Sequence, residues 1–257
     1  MERGLPRWVA ERFDTAGRYG LRVTLFAFAT LLVLIPFLYL LLQVTSEGPL
    51  TRTDTEVAEV LHTAANGSPV LVTAAKVVSF LGVPLWFYII IGSAVVYFWR
   101  KRRRRVAIYL VVTNLVGGAL DTIVKLSVNR PRPDLEDPIV EAFGKSFPSG
   151  HVMATTVGYG TLLLVFMPVI PRRWRVPAIV AYFLWVTLMA MSRLSLGVHY
   201  VSDVLGGFVL GVAWLLAGTA AFSIWRHEEG RKKVEVLEGA EPEVKGTIAT
   251  SRSRTSG

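Results

Sequence analysis

No cysteine occurs anywhere in this chain of 257 residues. Disulfides are thereby excluded, and with them thiolate metal sites and cysteine nucleophiles. Acidic residues are outnumbered: 19 Asp and Glu stand against 28 Lys and Arg, for a formal net charge of +9. In a soluble protein that excess points to nucleic acid, but its distribution here argues otherwise. Basic residues gather at 3–22, in "RKRRRR" (100–105), in "PRRWR" (171–175) and in "RHEEGRKK" (226–233), at alternate ends of long apolar blocks. The positive-inside rule puts all four clusters in the cytoplasm. Topology and attraction to anionic headgroups account for them, so no nucleic-acid partner and no catalytic role is assigned to them. A cleavable leader is not expected either, because the first apolar block is too long for an h-region and no A-x-A-like site closes it.

What the chain has in abundance is apolar residues, 52% of the total, and they are blocked rather than periodic. Residues 21–44, 77–99, 106–128, 152–170, 176–191 and 201–225 each approach the ~20 apolar residues that cross a ~30 Å bilayer core. The expected fold class is all-α: an integral membrane six-helix bundle. Residues 1–20 read as a cytoplasmic arm, 21–226 as the six-span domain, and 227–257 as a charged, then Ser/Thr/Gly-rich tail without fixed structure. Residues 53–66 carry Val57, Val60, Leu61 and Ala64 at helical spacing, an amphipathic helix lying on the membrane surface. Gly207 and Gly211 stand at GxxxG spacing; packing within the bundle is the favoured expectation, with a homodimer face as the alternative. Arg supplies 21 of the basic residues and Lys 7, a composition that hints at a GC-rich bacterial genome and hence a bacterial cytoplasmic membrane.

Two loops, 129–150 and 192–200, are separated by two spans and therefore face the same side, which the charge rule makes the outside. They hold most of the remaining unusual polar residues. In "KLSVNRPRP", Lys125 ends span three, Asp121 stands one turn before it in an order that favours pairing, and Arg132 sits between two prolines that stiffen its backbone. In "FPSGH", Ser149 is placed to cap a helix and Gly150 allows close backbone approach. The free N–H groups of that helix start form an anion site, and His151 stands beside them. In "SRLSLGVHYVSD", Arg193 ends span five, while His199 and Asp203, four apart, share one helix face. Asp203 in that position accepts Nδ1–H of His199, leaving Nε2 a free lone pair. Each piece alone has a plain alternative: a surface loop, a simple cap, an interfacial ion pair. Together they supply three cations, a helix N-terminus and two histidines, which match the oxygens of a phosphate and the needs of a nucleophile and an acid.

The order K-x6-RP, PSGH, SR-x5-H-x3-D resembles the signature of the type 2 phosphatidic acid phosphatase superfamily. The motifs run from Lys125 to Asp203 and match at every specified position. The resemblance implies a membrane lipid phosphatase with its active site at the outer membrane interface. It implies that His199 attacks phosphorus, Asp203 orients it, and His151 protonates the leaving oxygen. Lys125, Arg132, Ser149, Gly150 and Arg193 then hold the phosphoryl oxygens, with no cofactor and no metal. The expected partners are a lipid phosphate substrate (phosphatidate, phosphatidylglycerophosphate or polyprenyl diphosphate type) and the bilayer. A lipid-linked phosphotransferase, or a silent lipid-phosphate binder or transporter, is the alternative.

Overall fold

The computed structural model describes residues 21–135 and 139–222; the expected arm at 1–20 lies outside the described residues, as does the expected tail at 227–257. Eight helices are described: α1 (Leu21–Thr45), α2 (Pro49–Asn66), α3 (Pro69–Leu81), α4 (Pro84–Arg100), α5 (Arg104–Val128), α6 (Gly150–Phe166), α7 (Arg172–Ser195) and α8 (Val201–Phe222). The fold class is all-α, as expected. Two compact units divide the chain. Residues 28–218 form one and contain every motif; residues 1–27 and 219–257 form the other, described only where α1 begins and α8 ends.

Among the described residues, five segments are long and apolar enough to cross a membrane, and α6 is a shorter apolar helix. Their outward faces carry exposed Leu31, Ile35, Leu42, Leu115, Ile123 and Val176, a distribution that suits hydrocarbon rather than water. The second span is a correction. It begins at Pro69 rather than 77 and is broken into α3 and α4, because Gly82 follows the end of α3 and a proline sits in the first turn of α4. Proline has no N–H to donate, so it starts a helix and cannot continue one. The break has a packing partner: a Cβ on Gly82 would stand 2.4 Å from Met189 Cε and 3.2 Å from His151 Cδ2.

The surface helix also needs correcting. α2 exists, but its buried residues are Asp54, Ala58, His62 and Ala65, whereas Val60 is 67% exposed. Its inward face is therefore partly polar; of the apolar residues that suggested the face, Val57 and Leu61 are half-buried, Leu61 against the Val152–Val186–Met189 cluster, while Val60 and Ala64 are exposed.

α6 sits at the centre. It packs against α5 and α7, and its buried residues, Val152, Met153, Thr155, Thr156, Val157, Gly158, Gly160 and Thr161, run all the way round. A helix buried on every side needs small or apolar residues on every side, and the two threonines Thr156 and Thr161 return their hydroxyls to the carbonyls of Val152 and Val157. α1 closes one flank through Phe37, Leu40 and Val44, which pack with Phe147, Met153, Val157 and Leu210. α8 approaches α6 closely: a Cβ on Gly207 would lie 2.5 Å from the Ser149 carbonyl oxygen, and one on Gly211 would lie 3.0 Å from Thr156 Cβ. The GxxxG spacing thus serves packing inside the bundle.

The turns joining α4 to α5 and α6 to α7 carry Arg100–Arg105 and Arg172, Arg173 and Arg175 at one end of the bundle. The 129–149 loop and the α7–α8 turn lie at the other, and the two are tied together there by hydrogen bonds from Arg132 Nη1 to the Val198 carbonyl (2.7 Å) and from Arg130 to Asp203 (2.7 Å).

Candidate active site

Helix ends and one loop build the site. α5 delivers Lys125 in its last turn, and Nζ pairs with Asp121 Oδ2 at 2.5 Å, the i,i+4 partner expected from sequence. α5 then stops at Asn129, whose left-handed backbone (φ 56°) is one that asparagine tolerates better than most residues. The chain continues through Arg130-Pro131-Arg132-Pro133. Arg132 donates from Nη1 to the Val198 carbonyl at 2.7 Å and from Nη2 to the Phe143 carbonyl at 3.2 Å, and the same Nη1 lies 3.3 Å from His199 Nε2. The loop returns to α6 through a cis Phe147–Pro148 bond.

Ser149 occupies the N-cap position of α6 with extended backbone, yet its side chain makes no capping bond. This departs from the expected cap. Its main-chain N–H instead donates to the Asp203 carbonyl at 2.9 Å, and its fully buried Oγ has no hydrogen-bond partner among the described residues. Gly150 follows for a steric reason: a Cβ there would stand 2.6 Å from Lys125 Nζ and 3.0 Å from Asp121 Oδ2. A side chain there would push the Lys125 ammonium, the flexible end of its side chain, away from the opening turn of α6. His151 comes next, within electrostatic reach of Arg193, His199, Lys125 and Arg132.

α7 ends with Arg193, buried, its Nη1 donating to Ser79 Oγ of α3 at 2.5 Å. The turn passes through Gly197 in the left-handed region (φ 69°), and His199 follows, 2% exposed. Burial pushes the His199 imidazole down to about 4, against the opposing pull of the Asp203 carboxylate. The ring is accordingly neutral at ordinary pH, which keeps a lone pair for attack. Asp203 Oδ2 stands 3.4 Å from His199 Nδ1. That is long for a hydrogen bond, and Nδ1 has no formed bond among the described residues; such contacts often tighten only with substrate present. Arg132, facing the other ring nitrogen, keeps its charge at neutral pH, although burial lowers its tendency to hold a proton.

All eight residues singled out from sequence therefore converge on one end of the bundle. Three buried donor atoms there, Arg132 Nε, Arg193 Nε and Ser149 Oγ, have no hydrogen-bond partner among the described residues. Unpaired buried donors are costly, and three of them at the end of the bundle that holds the two histidines suit an anion with several acceptor oxygens. No group of three His, Asp or Glu side chains among the described residues is arranged to hold a metal ion.

Beside His151 opens a cavity of about 670 Å³ between α4, α5 and α6. Asp121, Gly150 and His151 line its polar part, and Ile91, Val95, Val111, Leu115, Met153 and Val157 line much of the rest. Cβ atoms on Gly92 and Gly118 would meet nothing within 4 Å, so these two glycines leave the groove wide.

Sequence reasoning passed over three residues that the fold brings to this end. Arg130 was hidden by its neighbour Arg132; Asp54 was one more acidic residue of the outer segment; Ser202 sits inside the last motif at an unspecified position. Asp54 is 1% exposed, and Arg130 bonds it at 2.9 Å. An acidic residue at the start of a helix with alanines four and eleven positions on was the available signal.

Residues 106–226 match the family model of the PAP2 superfamily. Over 127 residues the chain is 35% identical to phosphatidylglycerophosphatase B of Bacillus subtilis (strain 168), covering 48% of this chain and 61% of that protein. It is 36% identical over 121 residues to lipid A 1-phosphatase of Rhizobium johnstonii, covering 44% and 46%. The chain thus spans about half the length of these curated relatives, or somewhat more. Among solved structures, the crystal structure of the first transmembrane PAP2 type phosphatidylglycerolphosphate phosphatase from Bacillus subtilis aligns with a TM-score of 0.65 at 23% identity, over 74% of this chain and 94% of that one. That likeness speaks for the fold.

Proposed function

Because residues 106–226 match the PAP2 superfamily model, we propose that this multi-pass membrane protein is a phosphatase of lipid phosphate monoesters or diphosphates, working through a phosphohistidine on His199 at the outer face of the membrane. The observation that carries the reading is the set of unpaired buried donors on Arg132, Arg193 and Ser149 at the end of the bundle that holds His199, with Arg132 Nη1 3.3 Å from its Nε2 and His151 bordering a largely apolar groove.

The chemistry follows from the geometry. The Nε2 lone pair of His199 attacks phosphorus, forming P–N as the bond to the leaving oxygen breaks. His151, taking up a proton once the negatively charged phosphate stands beside it, donates that proton to the leaving oxygen. Arg132, 3.3 Å from Nε2, holds a phosphoryl oxygen where the group arrives, and Arg193, Lys125, Ser149 and the Gly150 N–H take the others. Positive charge and oriented donors are worth most where the transition state gathers negative charge. In the second step His151 removes a proton from water, the water oxygen attacks phosphorus, and P–N breaks to regenerate His199 and release phosphate.

The groove supports a substrate with an apolar tail. Its volume lies within the usual 300–1,000 Å³ range of ligand pockets, and it opens between helices beside His151. The two curated relatives described above are named as phosphatases acting on lipids, and an undecaprenyl-diphosphatase of Sulfolobus acidocaldarius is also similar, 31% identical over 121 residues. The decisive assay is phosphate release by purified protein in detergent from a panel of diacyl and polyprenyl phosphates. Release from at least one long-chain member, lost in His199→Ala, is expected. Binding of these lipids without release would favour the silent binder.

A further inference from the structure

Arg130 and Arg132 are two residues apart in a proline-flanked stretch, a spacing that in a regular strand would place both on one face. Here their contacts differ. Arg132 faces His199 Nε2 and keeps a donor unpaired. Arg130 is 9% exposed and spends its donors inside the protein: Nη1 on Asp203 Oδ1 (2.7 Å) and Ser202 Oγ (2.7 Å), Nη2 on Asp54 Oδ2 (2.9 Å). Its guanidinium also lies over the Tyr200 ring, 4.1 Å from the centroid.

Asp54, from α2, does two further things. Its Oδ1 accepts the Ser202 main-chain N–H at 3.0 Å, and its Oδ2 accepts the Ser202 hydroxyl. The first of these satisfies a free donor in the opening turn of α8, where a negative charge is favoured. Asp203 answers from within α8, its Oδ2 accepting the Tyr200 N–H at 2.9 Å. Asp54, Ser202 and Asp203 are each 0–1% exposed. One cation is thus shared between two buried carboxylates, and the planar fork of arginine reaches both where a lysine ammonium would act only as a point charge.

We propose that Asp54 and Arg130 are positioning residues for the nucleophile: Asp54 fixes Arg130, Arg130 fixes the Asp203 carboxylate, and that carboxylate fixes the His199 ring. The inference rests on the reading of His199 as nucleophile. It makes α2, a helix outside the matched family segment, part of the machinery that aims the attacking nitrogen. It also separates the two arginines by task. Arg132 binds the phosphoryl group; Arg130 never touches it.

The test measures phosphoenzyme formation by rapid quench and, separately, competitive inhibition by inorganic phosphate. The proteins are full-length Asp54→Asn, Arg130→Lys, Asp203→Asn, and the Arg130→Lys/Asp203→Asn double variant. The rate of phosphoenzyme formation is expected to fall about 10- to 100-fold in Arg130→Lys and Asp54→Asn, by analogy with the loss when the partners that orient metal-bound histidines are removed. The inhibition constant for phosphate and the KM stay within about twofold. The double variant is expected to be no slower than Asp203→Asn alone, because residues acting through one another are not additive.

Wild-type rates in folded Asp54→Asn and Arg130→Lys overturn the proposal. So does a loss that appears in phosphate affinity instead, which would make Arg130 a ligand, or an additive loss in the double variant. Should Arg130→Lys fail to fold, the isosteric Asp54→Asn decides alone by the same criteria. Turnover that persists in His199→Ala would overturn the underlying reading along with this one, and is recognisable by that variant alone.

Discussion

Two histidines in similar cationic surroundings are given different work by what stands behind them. His199 has a carboxylate behind Nδ1 and a guanidinium in front of Nε2, which is the arrangement of an aimed nucleophile. His151 has no such carboxylate. It borders the groove proposed to hold the apolar part of the substrate, which is where a proton donor to the leaving oxygen is expected. His151→Ala is therefore expected to slow phosphoenzyme formation by about 10²–10⁴-fold for a lipid alkoxide, the usual worth of general acid help, and much less for nitrophenolate. Burst kinetics on both substrates check this, and equal damage to both would remove the acid role. The motif residues could be read from sequence because each has a chemical type that a greasy chain seldom uses at that depth. Arg130 and Asp54 could not, because their significance lies in a pairing across 76 positions that no local pattern encodes. Ser149 was legible as a residue of interest but not in its role: capping is what serine does by default, and here the hydroxyl is kept unpaired.

The elements show how short helices and glycines shape the site. α3 and α4 together replace one straight span, and their joint at Gly82 nests against Met189 and His151. Hydropathy reveals an apolar stretch but not a break inside it, so the joint was invisible until its neighbours were known. α2 was foreseen as an amphipathic helix, and Leu61 does pack inward, but hydrophobic spacing cannot anticipate an aspartate that is buried in order to bond α8. The groove between α4 and α5 depends on two glycines with nothing near them. Gly118→Trp is expected to raise KM for a long-chain lipid phosphate at least about tenfold, the loss of roughly 1.4 kcal/mol of tail binding, while leaving turnover of a short soluble phosphate ester nearly unchanged. Steady-state kinetics on the two substrates provide the check. An equal effect on both would mean the groove does not hold the tail.

At the scale of the molecule, charge and chemistry lie at opposite ends. The arginine-rich turns at 100–105 and 171–175 mark one end, and the site occupies the other. On the positive-inside rule we propose that the site faces outward, toward substrates presented in the outer leaflet. The chain is free of cysteine, so single cysteines report topology cleanly. Glu141→Cys is expected to react with an impermeant maleimide in intact cells and Arg103→Cys only after lysis; the reverse pattern would invert the orientation. The central claim, that phosphorus passes through His199 with the protein's own cations supplying the charge, is tested most directly by one trapping measurement. Purified protein is mixed with ³²P-labelled lipid phosphate in the presence of a chelator, quenched in alkali, where phosphohistidine survives, and mapped by peptide. The account predicts label on the peptide bearing His199, absent in His199→Ala and undiminished by the chelator. Turnover without label on that histidine, or activity lost on chelation and restored by Mg²⁺, would contradict it.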